Sequence, residues 1–183
     1  MFQLLDYAKS LLSEDIPRDG VLVDFTMGNG HDTLYLSGLV PEGKVYAFDV
    51  QEMALVNTRK LLDENGRSNV TLIKDSHEHI LEYVKEEIDG GLFNLGYLPG
   101  SDKVIHTMRR STELAVSGAL KRLKKGGHLV ISVYPGHDEG RLEGELLLDM
   151  LSKLDRKKFC AMNFRILNAA DSPFVIAIEK YKK

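Results

Sequence analysis

Apolar positions along this chain follow two rhythms that take turns. Short runs with β-branched and aromatic residues, bounded by turn formers, predict buried strands at 21–25, 44–50, 70–73, 91–95, 128–134, near 158–167 and at 174–180. Between them the spacing becomes helical. Residues 2–13 carry Leu4, Leu5, Ala8, Leu11 and Leu12 on one face. Leu34, Leu36 and Leu39 do the same after the first strand, and Ala54, Leu55, Leu61 and Leu62 after the second. Further helices are predicted from His79 to about Glu87, from Thr107 to Lys124 and from about Glu139 to Leu154. Pro17–Gly20, Pro41-Glu42-Gly43, Asn65-Gly66 and Gly126-Gly127 supply the turns. With no repeat, linker or low-complexity tract in 183 residues, one domain over 1–183 is expected.

Five βα units in succession predict a parallel sheet covered by helices on both faces, because a parallel return needs a crossover. The last two predicted strands have no helix between them, only a turn of roughly six residues, which permits antiparallel return alone. The expected fold is therefore α/β: a three-layer sandwich around a seven-stranded, mostly parallel sheet that ends in an antiparallel hairpin.

Composition narrows the setting. No apolar run approaches the roughly 20 residues of a membrane span, and the amino terminus lacks the pattern of a signal peptide. Cys160 is the single cysteine and sits between Phe159 and Ala161, which suits a buried thiol in a reducing, cytoplasmic setting. A net charge of −3 argues against indiscriminate nucleic-acid binding. The charges are uneven, however. Lys103, Arg109, Arg110, Lys121, Arg122, Lys124 and Lys125 form one basic group, and Lys153, Arg156, Lys157, Lys158 and Arg165 another. They read either as solvated helix faces or as a local RNA platform.

The chemistry-bearing stretch is Gly20 to Leu36, where a strand breaks into Thr26-Met27-Gly28-Asn29-Gly30 and resumes as a helix. Strand, glycine turn and helix place a ligand at the carboxyl edge of the sheet. A nicotinamide fingerprint would need a third glycine where Thr33 stands. Asp24 ending the strand, followed by Thr26-x-Gly28-x-Gly30, instead resembles the first motif of class I S-adenosylmethionine methyltransferases. Asp49 ends the second strand about 20 residues on, where a carboxylate can accept both ribose hydroxyls of an adenosine; the other reading is a helix cap before Gln51. Ser76 and His77 end the third strand, where this class contacts the adenine, with a helix cap as the alternative. His77-Glu78-His79 is a poor metal set, since i and i+2 diverge on a helix. Asn94-Leu-Gly-Tyr97 ends the fourth strand and resembles the Asp/Asn-Pro-Pro-aromatic turn of amino-directed methyltransferases, without its prolines. His137, in Tyr134-Pro-Gly-His137, is a proton handler or a surface residue.

Taken together, Val-Asp-x-Thr-x-Gly-Asn-Gly-His-Asp-Thr at 23–33, Asp-Ser-His at 75–77, Asn-Leu-Gly-Tyr-Leu-Pro-Gly at 94–100, Tyr-Pro-Gly-His at 134–137 and Pro-Phe-Val-Ile-Ala-Ile-Glu-Lys at 173–180 resemble the small bacterial proteins long called rRNA methylases. Phe25 stands where that family usually has Ala, a packing difference, and Ala170-Asp171-Ser172 departs before Pro173. The resemblance covers nearly the whole chain and implies the class I methyltransferase fold. It also implies methylation of 5-aminomethyl-(2-thio)uridine to 5-methylaminomethyl-(2-thio)uridine at the tRNA wobble position. S-adenosyl-L-methionine would be bound by Asp24, Thr26, Gly28, Asn29, Gly30, His31, Asp32, Asp49, Gln51, Ser76 and His77. Asn94 would orient the acceptor amine, Tyr97 stack on the uracil and His137 take the proton. The implied partners are the tRNA anticodon stem-loop and a second copy of the chain. A methyltransferase for rRNA or a small amine shares every cofactor residue, and a non-catalytic S-adenosylmethionine-binding protein is the third reading.

Overall fold

A computed structural model describes residues 4–13, 15–95, 109–169 and 171–182. Tyr97, Lys103 and Ala170 lie outside the described residues. Seven strands form a single sheet: β1 Val21–Asp24, β2 Lys44–Asp49, β3 Val70–Lys74, β4 Ile88–Asn94, β5 Leu123–Val133, β6 Phe159–Phe164 and β7 Phe174–Lys180. Their order is β3-β2-β1-β4-β5-β7-β6. β1 to β5 pair in parallel, and β7 runs antiparallel to both β5 and β6. The hairpin predicted at the end of the chain is present, with β7 inserted between β5 and β6.

Alternation along each strand sorts apolar side chains onto two faces. Leu22, Val45, Ala47, Leu92, Val130 and Val175 pack with Ala8, Leu12, Leu36, Ala54 and Leu62. These last five belong to α1 Leu4–Ser13, α2 His31–Leu39 and α3 Glu52–Glu64. On the other face Val23, Phe48, Phe93, Ile131 and Ile176 pack with Ile80, Val116, Leu147 and Leu151. The helices there are α4 Ile80–Tyr83, α5 Arg109–Arg122 and α6 Asp138–Ser152. The result is the expected class I methyltransferase sandwich.

Boundaries differ from expectation around β4 and β5, where glycines sit inside strands. The helix after His79 ends at Tyr83 rather than Glu87, and β4 begins at Ile88, three residues before Gly91. A Cβ on Gly90 would lie 2.7 Å from Leu12 Cδ1, and one on Gly91 2.7 Å from Phe25 Cε2. The glycine pair thus lets α1 close on one face and the Phe25 ring on the other. Phe25 stacks on Phe93 at 3.9 Å between centroids, so the bulk it adds is absorbed as packing. Likewise Gly126-Gly127 does not precede β5 but lies within it: Ile88 pairs with Leu123 and Gly90 with His128, leaving 124–127 as a bulge opposite Asp89.

Candidate active site

The chain runs outward from β1 to β2 and β3, then returns to β4 on the other side of β1. The crevice at such a switch point, beyond the carboxyl ends of the strands, is where open α/β sheets bind ligands. Asp24, Asp49 and Asn94 end β1, β2 and β4 and meet there.

Each supports the glycine loop. The buried Asp24 accepts from Thr26 N–H at 3.0 Å and from the Thr33 hydroxyl at 2.6 Å. Burial, then the nearby Asp32 charge, raises its pKa to about 7 against the bonds from Thr33 and Thr26. Its oxygens serve the loop, so Asp24 shapes the cradle. Asp49 accepts from Gly28 N–H at 3.0 Å and Gln51 N–H at 2.9 Å, one on each oxygen. Each oxygen keeps a second lone pair, and the carboxylate is half-buried, so a ribose diol fits here. The helix-start and ribose readings of Asp49 are therefore compatible. Gly28 and Gly30 have φ of 53° and 83°, and a Cβ on Gly30 would strike Thr58 at 2.6 Å. Asn29 accepts from Asn57 at 3.0 Å, while His31 is exposed on the first turn of α2.

Past β3, where adenine contacts are expected, Ser76 and His77 have different settings. Ser76 is half-buried, with its N–H on Asp75. His77 turns into the core, with Nδ1 2.9 Å from the Phe25 carbonyl and its ring edge-on to Phe93. Burial lowers its pKa, so the neutral ring donates to that carbonyl and pins β3 to β1. His79 looks elsewhere, to Asp75 at 3.0 Å, so the two histidines do not converge.

At the end of β4, Asn94 N–H donates to the Thr26 hydroxyl at 2.8 Å, and its side-chain amide donates to Asp32. The other Asp32 oxygen holds Lys9 Nζ at 2.6 Å. Asp32, expected on the cofactor, thus faces α1 and β4. These residues line a cavity of about 70 Å³ together with Ala8, Leu92 and Ser132. Tyr134, just past β5, is half-buried; burial first and the Asp32 charge second raise its pKa. Lys9, Ser132 and Tyr134 escaped sequence reasoning, although Tyr134 stood in a recognised motif.

His137 caps α6: its Nδ1 accepts from Gly140 N–H at 3.0 Å. That bond places His137 at the start of α6, with Nδ1 turned to the helix backbone. The predicted basic platform also divides. α5 leaves the carboxyl edge at Arg109 and, at about 1.5 Å per residue, delivers Lys121 and Arg122 roughly 20 Å away at the amino edge. Lys124 there is bound by Asp89 at 2.8 Å. Among the described residues of this group, Arg109, paired with Glu139 at 2.9 Å, and Arg110 stand at the carboxyl-edge end of α5.

A doubly wound sheet with an inserted antiparallel β7, a glycine cradle and a strand-end carboxylate defines an S-adenosylmethionine-dependent methyltransferase. The family model described as "Putative rRNA methylase" matches residues 45–179, and the chain belongs to that family. It is 34% identical to the "tRNA (mnm(5)s(2)U34)-methyltransferase, chloroplastic" of Arabidopsis thaliana, over 90% of this chain and 65% of that one, so it spans just under two thirds of that relative. Among solved structures, an rRNA methylase from Clostridium thermocellum, titled putative, is 36% identical with a TM-score of 0.95, covering 98% of both chains. A putative methyltransferase from Streptococcus mutans in complex with SAH is 40% identical with a TM-score of 0.91, covering 98% of this chain and 99% of that one. S-adenosylmethionine is the cofactor these likenesses assign, and the Asp49 and glycine-loop geometry fits it.

Proposed function

We propose that the protein methylates the primary amine of 5-aminomethyl-(2-thio)uridine at the tRNA wobble position. The observation that carries this reading is Asn94, fixed beside the cofactor loop through Thr26 and turned by Asp32. With its NH₂ donating to Asp32, the Asn94 carboxamide oxygen is left directed elsewhere, as an acceptor for an amine N–H. The name of the Arabidopsis relative supports tRNA as the carrier.

S-adenosylmethionine supplies an activated methyl group on its sulfonium. The protein's part is positioning: Asp49 and the glycine loop fix one reactant, and Asn94 fixes the nitrogen of the other. An aliphatic amine titrates near 10, as lysine does, so the acceptor must lose its proton before reaction. In this reading the acceptor amine passes its proton to solvent at the mouth of the half-buried crevice, where partial desolvation favours the neutral form. Action in the cytoplasm and assembly as a homodimer belong to the same reading, the latter checked by sedimentation.

Mass spectrometry of anticodon nucleosides from a deletion strain tests the substrate. The 5-aminomethyl form should accumulate and the methylated form vanish. An unchanged wobble nucleoside with an undermethylated rRNA would move the assignment to rRNA, and failure of any single-turnover transfer would leave a cofactor-binding protein.

A further inference from the structure

We infer that Asp32 is the anionic contact of the acceptor amine, and that the ammonium of Lys9 holds that place until the acceptor arrives. The inference rests on the amine reading above. Asp32 touches neither glycine-loop backbone nor Asp49: one oxygen takes the Asn94 amide and the other takes Lys9 Nζ at 2.6 Å. The first partner sits rigidly at the end of a central strand. The second rides on a flexible four-carbon stem from α1, outside the sheet. A primary ammonium has the same charge and the same three donors, so the acceptor can exchange with Lys9 without disturbing Asn94.

Three features support the exchange. The Asp32 side chain is 18% exposed and that of Lys9 31%, so the pair is reachable from solvent, and the exchange leaves the carboxylate paired because one ammonium replaces another. Lys9 has a second seat, since Nζ lies 5.4 Å from the Tyr35 ring centroid and can rest over that face when released. The cavity of about 70 Å³ is far below the roughly 300 Å³ at which drug-sized pockets begin, so an arm of one carbon and a nitrogen enters while the base stays outside. The seated ammonium first gives one proton to solvent water at the open mouth of the cavity; the neutral nitrogen then takes the methyl group as the carbon–sulfur bond breaks, becomes a secondary ammonium and carries the unit of charge the sulfonium loses. Asp32 faces that developing charge, which is where a preorganised anion accelerates reaction.

The test uses the full chain and an anticodon stem-loop RNA bearing 5-aminomethyluridine. Asp32→Asn should slow single-turnover methylation by about tenfold or more, while its calorimetric affinity for S-adenosylhomocysteine stays within about twofold. Lys9→Met, which removes the internal competitor, should lower the KM for that RNA about two- to fivefold, and Lys9→Arg should restore it. A loss of S-adenosylhomocysteine affinity in Asp32→Asn would return Asp32 to the cofactor. A raised KM in Lys9→Met would make Lys9 a tether for α1. Either overturns the inference. If wild type leaves the RNA unmethylated, the tRNA reading has failed instead, and a second arm remains. Ethylammonium chloride, against sodium chloride at equal ionic strength, should shift the Lys9 ¹³Cε resonance in wild type and not in Asp32→Asn; no shift would refute the exchange.

Discussion

Asp49→Asn preserves the shape of the side chain and removes its symmetry, which makes it a sharp probe of the cofactor site. Two backbone donors, Gly28 N–H at 3.0 Å and Gln51 N–H at 2.9 Å, point at different oxygens of Asp49. An amide has one oxygen, so in either orientation one donor faces an NH₂ group. At least one hydrogen bond to a charged acceptor is lost, worth about 1.5–3 kcal/mol, and one ribose hydroxyl loses its anionic partner. Cofactor affinity should therefore fall by at least about 10- to 150-fold. The loop belongs to the cradle rather than the core, so the variant should keep its far-ultraviolet spectrum. Calorimetric titration with S-adenosylhomocysteine reads the loss directly. A folded Asp49→Asn protein with wild-type affinity would refute both the ribose contact and the loop-anchoring argument.

Other expectations concern the remaining ionisable groups. His137→Ala should lower stability by about 0.5–2 kcal/mol through loss of the α6 cap, while leaving the ratio of methylation rates at pH 7 and pH 9 unchanged. A ratio that rises with pH would make His137 a proton acceptor. Asp24 keeps its proton in the fold up to about pH 7, against an ordinary value of 3.8. Its contribution to stability is thus fully present below pH 3.8 and is lost as pH rises through 7, on the order of 4 kcal/mol at 1.36 kcal/mol per pH unit. Asp24→Asn should remove that slope from thermal unfolding of the ligand-free protein, and an unaltered slope would show that the carboxyl ionises freely. Reversing Arg109 and Arg110 to glutamate should weaken RNA binding and flatten its salt dependence, whereas reversing Lys121 and Lys157 should do neither. Equal effects would reunite the basic groups into one surface.

What the sequence disclosed depended on whether the cause was local. Alternation and turn residues announced the strands around Val23 and Phe48, and the missing crossover announced β7. The start of β4 was expected at Gly91 rather than Ile88, because Gly90 and Gly91 carry no strand signal of their own and are demanded by Leu12 and Phe25 closing from opposite faces. Asp24 and Asp49 were found because strand ends and spacing mark them, although for Asp24 the partner is the loop. The partners of His77 and His137 could not be read ahead, because a histidine's type says nothing of which nitrogen is engaged. Lys9 sits on the margin of an ordinary amphipathic helix, and nothing local joins it to Asp32.

That helix carries a consequence for synthesis. α1 precedes every strand of the sheet in the chain but packs mainly against β5 and β7, and Lys9 shares its cavity with Ser132. The Asp24, Thr26 and Asp49 contacts, by contrast, need nothing beyond β4. On the ribosome, then, the cradle can assemble while the wall of the acceptor cavity still awaits the last strand. The long sequence separation makes docking of α1 a late event. A nascent or nicked chain lacking β7 would be a molecule able to shape its cofactor loop and unable to enclose an acceptor, so methyl donor and target would never meet in a half-built enzyme.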